Sequence, residues 1–509
     1  MIIFSIKRLA ILKILLILGV KNSSDIRSSV EVLEGEYALG PKSQNLTPPP
    51  SKTVLWSPEI PKPSTETSQS VLRRSCSEES TSPAIPTAIA TFKDNEETCS
   101  LSQDLVVPEA RKNCVGIYHN KLATTISGAA GGLPTPRAFI KKEGTLLKAG
   151  SQIYRPVGPN IYWLGLDENV GQKISYPTRG RVREAIAIAA AMGANTIRSI
   201  TLGVSTGHPL SVWPSKGETN EDAFDSIDYA IATARHYGLR IIEKKTHFCC
   251  FSFRFYHGGK YDFLTWEGIN STNADAEMNF YRNEGVIKTF KQYIEVILNH
   301  VNQFNGLAFK DDPTILAWET GNELGAFDLE QGAPPGEWTE EIASYIKSID
   351  RNHLVIDGSD GLMDTDGDDI EGLAAKSIDI VSDHLYPIIN NTFWQDHTLA
   401  MVSDKVLLIG EYDWTGSNGG LSLNNFYNEV RKTKNVGDIA WSVMAHDESC
   451  CRYITHDDGY SIYYPNGNAR LMQNRVLRLV QHWYHFTGRD SPSVLPAVSC
   501  PQPEWLKQT

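Results

Sequence analysis

The chain has 509 residues, 41% of them hydrophobic, and a formal charge of −12. That length exceeds what one domain of usual size needs and is enough to bury a large core. The acidic balance excludes nucleic acid and anionic membrane as partners, because phosphate binding needs Lys and Arg to neutralise the backbone; a neutral polysaccharide makes no such demand.

Residues 1–20 carry an apolar run, Leu9 to Val20, behind Lys7 and Arg8, the charge order of a secretory signal or short anchor. Ile2 to Ile6 is apolar ahead of those charges and Lys13 interrupts the run, so the pattern is atypical. The run is also too short to cross a bilayer, and no stable membrane partner is expected. Asn-x-Ser/Thr triplets at Asn22, Asn45, Asn270 and Asn390 agree with export, which gives a secreted, extracellular protein as the expectation.

Residues 21–137 read as a low-complexity leader. They are rich in Ser, Thr and Pro, with Pro48-Pro49-Pro50 and no sustained apolar period, and disorder is expected. The eight cysteines include the vicinal pairs Cys249-Cys250 and Cys450-Cys451, with others at 76, 99, 114 and 500. Their spacing matches no zinc site, so disulfides or buried thiols are expected and no metal is assigned.

From Ala138 to about residue 490 the chain alternates strand and helix. Val182, Ala185, Ile186, Ala189 and Met192 fall at helical spacing, Gly193 stops that helix, and Asn195 to Ile200 reads as the next strand. Phe224, Ile227, Ile231 and Ala234 line a second helix before Leu239-Arg240-Ile241-Ile242. Val286, Phe290, Tyr293, Ile294, Ile297, Val301 and Phe304 make a longer helix before the Ile315 strand. Further strands are expected at Leu354–Asp357, Ile378–His384, Val406–Glu411 and Ile439–Val443, and Tyr154–Gly158 opens the series. About eight strands fit a (β/α)8 TIM barrel, an α/β fold. The rival, an open doubly wound sheet, lacks its Gly-rich phosphate fingerprint here. Residues 491–509 are left as a C-terminal tail.

In such a barrel the chemistry gathers where strands end, since all the C-terminal ends share one face. Arg198 closes the second strand, Asn322 and Glu323 the fourth, His384 and Tyr386 the sixth and Glu411 the seventh, while Trp441 lies on the eighth. Two carboxyl groups in unlike environments are what glycosidic hydrolysis requires, one to give a proton to the leaving oxygen and one ionised to attack or to activate water.

These residues resemble glycoside hydrolase family 5, and within it fungal mannanase-like members. The resemblance spans about Gly144 to Gly488 and is carried by Gly158-Pro159-Asn160-Ile161-Tyr162-Trp163, Asn195-Thr196-Ile197-Arg198, Trp318 to Glu323, Asp383-His384-Leu385-Tyr386, Ile409-Gly410-Glu411-Tyr412 and Trp441. It implies Glu323 as general acid/base, Glu411 as nucleophile, and Arg198, Asn322, His384, Tyr386 and Trp441 as substrate-binding support. It further implies retention, with the carboxyl groups about 5–5.5 Å apart. Asn160, Trp163, Trp213, Trp414 and His446 are added as candidate sugar contacts, with core packing as the alternative for each.

The implied function is cleavage of β-1,4-linked mannan-type polysaccharide by a monomer without a cofactor. The alternatives are a cellulase, β-glucanase or β-mannosidase on the same barrel, and a catalytically impaired carbohydrate-binding protein. The last draws on a departure from the family after Ile242, where Glu243 to Phe255 replaces the expected apolar strand end. Both an insertion and translated intron sequence account for that stretch. His247 within it is read as structural, and the acidic run Asp357 to Glu371 as a solvated loop or weak cation site.

Overall fold

A computed structural model describes residues 133–171, 173–244, 258–270, 274–324 and 332–506. The expected signal segment, nearly all of the leader, Asn22, Asn45 and His247 lie outside the described residues.

The first elements form a small antiparallel sheet that the sequence pattern did not reveal: β1 (Lys141–Glu143), β2 (Leu146–Ala149) and β3 (Gln152–Tyr154). Its strands are too short for a readable alternation. Ile140 and Leu147 join the apolar cluster formed by Ile242, Leu316, Leu354, Ile356, Ile380, Val406, Leu408 and Ile439 at the starts of later strands, so this sheet closes the N-terminal end of the barrel. Tyr154, expected to open the barrel, belongs to β3. Pro156, which has no N–H to give a ladder, separates it from the first barrel strand.

That strand is β4 (Val157–Pro159), followed by helix α1 (Arg179–Ala191), β5 (Thr196–Ser199), α2 (Ala223–His236) and β6 (Arg240–Lys244). Helices α3 (Lys260–Trp266), α4 (Ala274–Arg282) and α5 (Glu284–Asn299) precede β7 (Ile315–Glu319). Then come α6 (Gly336–Ile349), β8 (Leu354–Asp357), β9 (Ile380–Leu385), α7 (Asn390–Val402), β10 (Val406–Tyr412), α8 (Leu423–Lys432) and β11 (Gly437–Ala440). A short pair, β12 (Val443–Met444) with β13 (Ile462–Tyr463), and helix α9 (Arg470–Phe486) finish the domain. The eight-stranded sheet runs β4-β11-β10-β9-β8-β7-β6-β5. It closes where Ile161 N–H donates to Arg198 O at 3.0 Å and Asn195 N–H to Val157 O at 3.0 Å. The result is the expected (β/α)8 barrel.

Local chemistry sets the helix ends. Thr178 caps α1 by accepting from Arg181 N–H, and Asn283 caps α5 by accepting from Gly285 and Val286 N–H. Helix α5 stops at Asn299, short of the expected Val301 and Phe304. The carboxylate of Asp228 on α2 pairs with His300 and accepts from Gln303 N–H, which turns the chain aside.

Period-2 alternation then decides what faces the barrel axis. On β9, Ile380 points inward and Val381 outward, so His384 points inward as well. On β10, Val406 and Leu408 are inside and Leu407 and Ile409 outside, which would send Glu411 outward. A bulge between Ile409 and Glu411 shifts the register and pairs Glu411 with His384. Gly410 makes this feasible, because a Cβ there would meet Ser382 Oγ at 2.5 Å and His384 Nε2 at 3.0 Å.

The departing segment begins inside the barrel wall. Strand β6 runs through Lys244, with Glu243 fully buried between Ser199 and Trp318 of its neighbours. Residues 245–257 lie outside the described residues. Beyond α9, the expected tail is fastened to the barrel. A disulfide joins Cys450 to Cys500, Gln502 accepts from Tyr237, and Trp505 stacks on Tyr229 and His236.

Candidate active site

Arg198 organises the mouth of the barrel from a fully buried position. Its Nε and Nη2 donate to Glu319 Oε2 and Oε1 at 2.9 and 2.7 Å, and its Nη1 donates to Glu411 Oε1 at 2.7 Å. Asn160 Oδ1 and Asn322 Oδ1 accept from it at 3.2 Å each. Burial alone lowers its pKa, but Glu319 and Glu411 outweigh burial, so the guanidinium is charged at any working pH.

Glu323 follows from β7 through Asn322. Its φ of 51° lies in the left-handed region, a cost of about 1–2 kcal/mol for a side chain of this kind. The next residue holds it there, since Leu324 N–H donates to Gly358 O at 2.9 Å. Glu323 Oε1 lies 2.7 Å from His384 Nδ1, and Oε2 accepts from Asn322 Nδ2 at 3.3 Å. Glu411 Oε2 accepts from the Tyr386 hydroxyl at 3.3 Å and lies 3.8 Å from the same His384 nitrogen. One imidazole nitrogen therefore reaches both carboxylates.

A guanidinium only donates, so His384 Nε2, 3.1 Å from Arg198 Nη2, accepts, and the ring proton sits on Nδ1 facing Glu323. Burial lowers the His384 pKa while Glu411 and Glu323 raise it, with a net upward direction that Arg198 opposes. The Tyr386 phenol is pushed well up by burial and then by Glu411 and Glu323, so it donates as a neutral group. The two acids are unlike. Glu411, whose side chain is 7% exposed, has an arginine; Glu323, 21% exposed, has none and faces solvent. Such a pair can hold one carboxylate ionised beside a second that exchanges protons.

Trp441 stacks on Tyr162 at 5.4 Å and donates its indole N–H to Asp458 at 2.5 Å. Tyr460 packs edge-on against Tyr386 at 5.1 Å, extending an aromatic rim from Glu411. Arg198, Asn322, Glu323, His384, Tyr386 and Glu411 thus converge, with Trp441 beside them. Others of the expected set do not. Trp163 is buried under Arg181 and donates to Val443 O. Trp213 packs on Trp266 and Tyr293 in the core, and buried Trp414 donates to Tyr460 O. His446 is bound to Glu184 on the outer helix α1. Each of these four is interior packing, because its ring has no free face. Asn160 is also buried, and it braces Arg198 and the Gly410 carbonyl instead of facing a sugar.

Two carboxylates of this site were missed. Glu319 sits in the same Trp-Glu-Thr-Gly-Asn-Glu stretch, and its place as the last inward residue of β7 was the available signal. Asp360 comes from the acidic run read as a solvated loop, and its Oδ1 lies 4.0 Å from His384 Nδ1. Burial, opposed by His384 and assisted by Glu323, pushes its pKa up to about 7. That run is mixed, since Asp357 is buried while Asp366 and Asp368 are exposed.

Glu323, Asp360 and His384 present ligand atoms within 4.8 Å of one another. They fit a cation poorly, because Nδ1 carries the ring proton while Arg198 faces Nε2. In the other such group among the described residues, Glu184, His446 and Cys500, the thiol is consumed by the disulfide.

Behind His384, Asp383 points outward to Asp396 on α7, and both are buried. Burial and then Asp396 hold the Asp383 pKa well up, and burial pushes Asp396 up to about 6. Both folded pKa values exceed the unfolded ones, so the fold takes up protons and stability falls as pH rises from about 4 through 6. Asp396→Asn removes one of these uptakes. Its melting temperature should gain on wild type as pH rises from 5 to 8; melting curves that stay parallel across that range would refute a shared proton.

A closed (β/α)8 barrel with two unlike carboxylates at its strand ends defines a glycoside hydrolase. Residues 137–412 match the family described as GH family 5 beta-mannosidase-like, and the chain belongs to that family. It is 27% identical over 349 residues to mannan endo-1,4-beta-mannosidase 4 of Oryza sativa subsp. japonica, covering 60% of this chain and 73% of the relative. It is 30% identical to mannan endo-1,4-beta-mannosidase 1 of the same organism, covering 46% of this chain and 52% of the relative. The endo-1,4-beta-mannanase of Rhizomucor miehei shares the fold with a TM-score of 0.55 at 23% identity, over 69% of this chain and all (100%) of that one.

Proposed function

We propose that this enzyme hydrolyses β-1,4-linked mannan-type polysaccharide by double displacement, with residues 138–490 as its catalytic domain. Glu411 attacks the anomeric carbon. Glu323 protonates the leaving oxygen and then deprotonates the water that releases the glycosyl-enzyme. The observation that carries this reading is the approach of both carboxylates to His384 Nδ1, at 2.7 and 3.8 Å, with Arg198 on Glu411 only. Such close spacing suits a covalent intermediate better than the wider gap, roughly 6.5–9.5 Å, that an inverting enzyme keeps for its water. Arg198 and Tyr386 hold Glu411, Asn322 reaches the hydroxyl beside the reacting carbon, and Trp441 offers an apolar platform to a pyranose face. The similarity to plant mannan endo-1,4-beta-mannosidases supports mannan as the polymer.

The enzyme works as a monomer, without a cofactor, and is exported. Among the described residues no helix is long and apolar enough to cross a membrane. Purified full chain incubated with mannan, cellulose and laminarin should release reducing sugar from mannan, and NMR of the first product should show the β-anomer. Release from glucans alone would move the substrate to β-glucan, and binding without turnover would overturn hydrolysis.

A further inference from the structure

Glu319 has both oxygens on one edge of the Arg198 guanidinium, at 2.9 and 2.7 Å, and is as buried as its partner. Such a bidentate fork fixes the plane of the guanidinium, which a single hydrogen bond does not. The plane in turn decides where Nη1 points. Here it points at Glu411 Oε1 from 2.7 Å and at Asn160 Oδ1 from 3.2 Å. The remaining Nη2 direction is taken by Asn322 Oδ1 and His384 Nε2, so every N–H of the group is committed.

The charges matter as much as the directions. One buried cation lies between two carboxylates, so Glu319 already neutralises Arg198 before Glu411 is counted. We propose that Glu319 is a positioning residue for the reaction, aiming Arg198 at Glu411 and offsetting its charge so that Glu411 is held in place without being over-stabilised as an anion. A purely structural partner for a buried arginine would not need to lie on the edge opposite the attacking carboxylate. This inference rests on Glu411 being the nucleophile, as proposed above.

Two variants test it, assayed on whichever β-glycan the wild-type enzyme turns over, so that a wrong polymer would not count against it. In Glu319→Gln the offsetting charge is gone and Arg198 bears undivided on Glu411. The acid limb of the kcat/KM profile, which reports the free enzyme's ionised group, should move to lower pH, with kcat down about 10- to 100-fold. In Glu319→Asp the charge stays but the fork is drawn back by one methylene. Its limb should stay in place while kcat falls by a similar factor and KM changes less than threefold. An unmoved limb in folded Glu319→Gln, or full kcat in Glu319→Asp, would leave Glu319 a structural partner and overturn the proposal. A moved limb with an inverted product would instead overturn the double displacement, which the anomer assay reads separately.

Discussion

Glu411→Ala is expected to cut kcat/KM on mannan by at least about 10⁴-fold, because without the carboxylate no glycosyl-enzyme forms. The residual space should then admit a small external nucleophile. With a dinitrophenyl β-mannobioside, whose leaving group needs no acid, added azide should restore turnover and give the α-configured glycosyl azide, the product of one inversion. Glu323→Ala should behave oppositely. It should lose the polysaccharide but keep forming the intermediate from the activated substrate, and azide should give the β-configured azide after two inversions. The pair of products, read by NMR, assigns the two acids independently of any change in binding. A β-azide from Glu411→Ala, or wild-type rates in that variant, would reverse or remove the assignment.

The barrel and the two carboxylates at its mouth were legible because both are written in local periodicity. Runs of five to seven residues with apolar starts gave β7, β9 and β10, Gly193 gave the end of α1, and the polar residues at the end of each run marked the mouth. What was not legible depends on contacts between segments distant in the chain. The tryptophans at 163, 213 and 414 are as apolar at the core as at a sugar platform, and only packing against Arg181, Tyr293 and Tyr460 separates the cases. Glu319 reads as one more acid until Arg198, 121 positions away, is seen to take both of its oxygens. The direction of Glu411 is a finer example. Strict alternation along Val406–Tyr412 sends it out of the barrel, and only the bulge at Gly410 turns it inward. The family motif pointed to this residue where the strand rule alone would have sent its side chain away from the mouth.

Arg198→Ala is expected to cost about 3–5 kcal/mol of stability and all measurable activity, the second-largest effect in the site. The size follows from what is left behind. Glu319 and Glu411 are both buried on the guanidinium, and without it two buried carboxylates are left with no cation between them. Each would then bind a proton more readily in the folded than in the unfolded variant, so the variant's stability is fully present at low pH and lost as pH rises. The gap between wild type and Arg198→Ala should therefore be small near pH 4, around the ordinary glutamate pKa, and widest above about pH 6. Arg198→Lys separates charge from shape. An ammonium supplies the positive charge but cannot make the fork to Glu319 and reach Glu411 together. It should recover most of the lost stability, while kcat remains about 10²- to 10³-fold down because the nucleophile is no longer aimed. Chemical denaturation of the three proteins at pH 4.5 and 7.5, with kcat on the same samples, provides the check. A gap independent of pH would mean that the carboxylates are not the reason Arg198 is needed, and full activity in Arg198→Lys would mean that its charge suffices without its geometry.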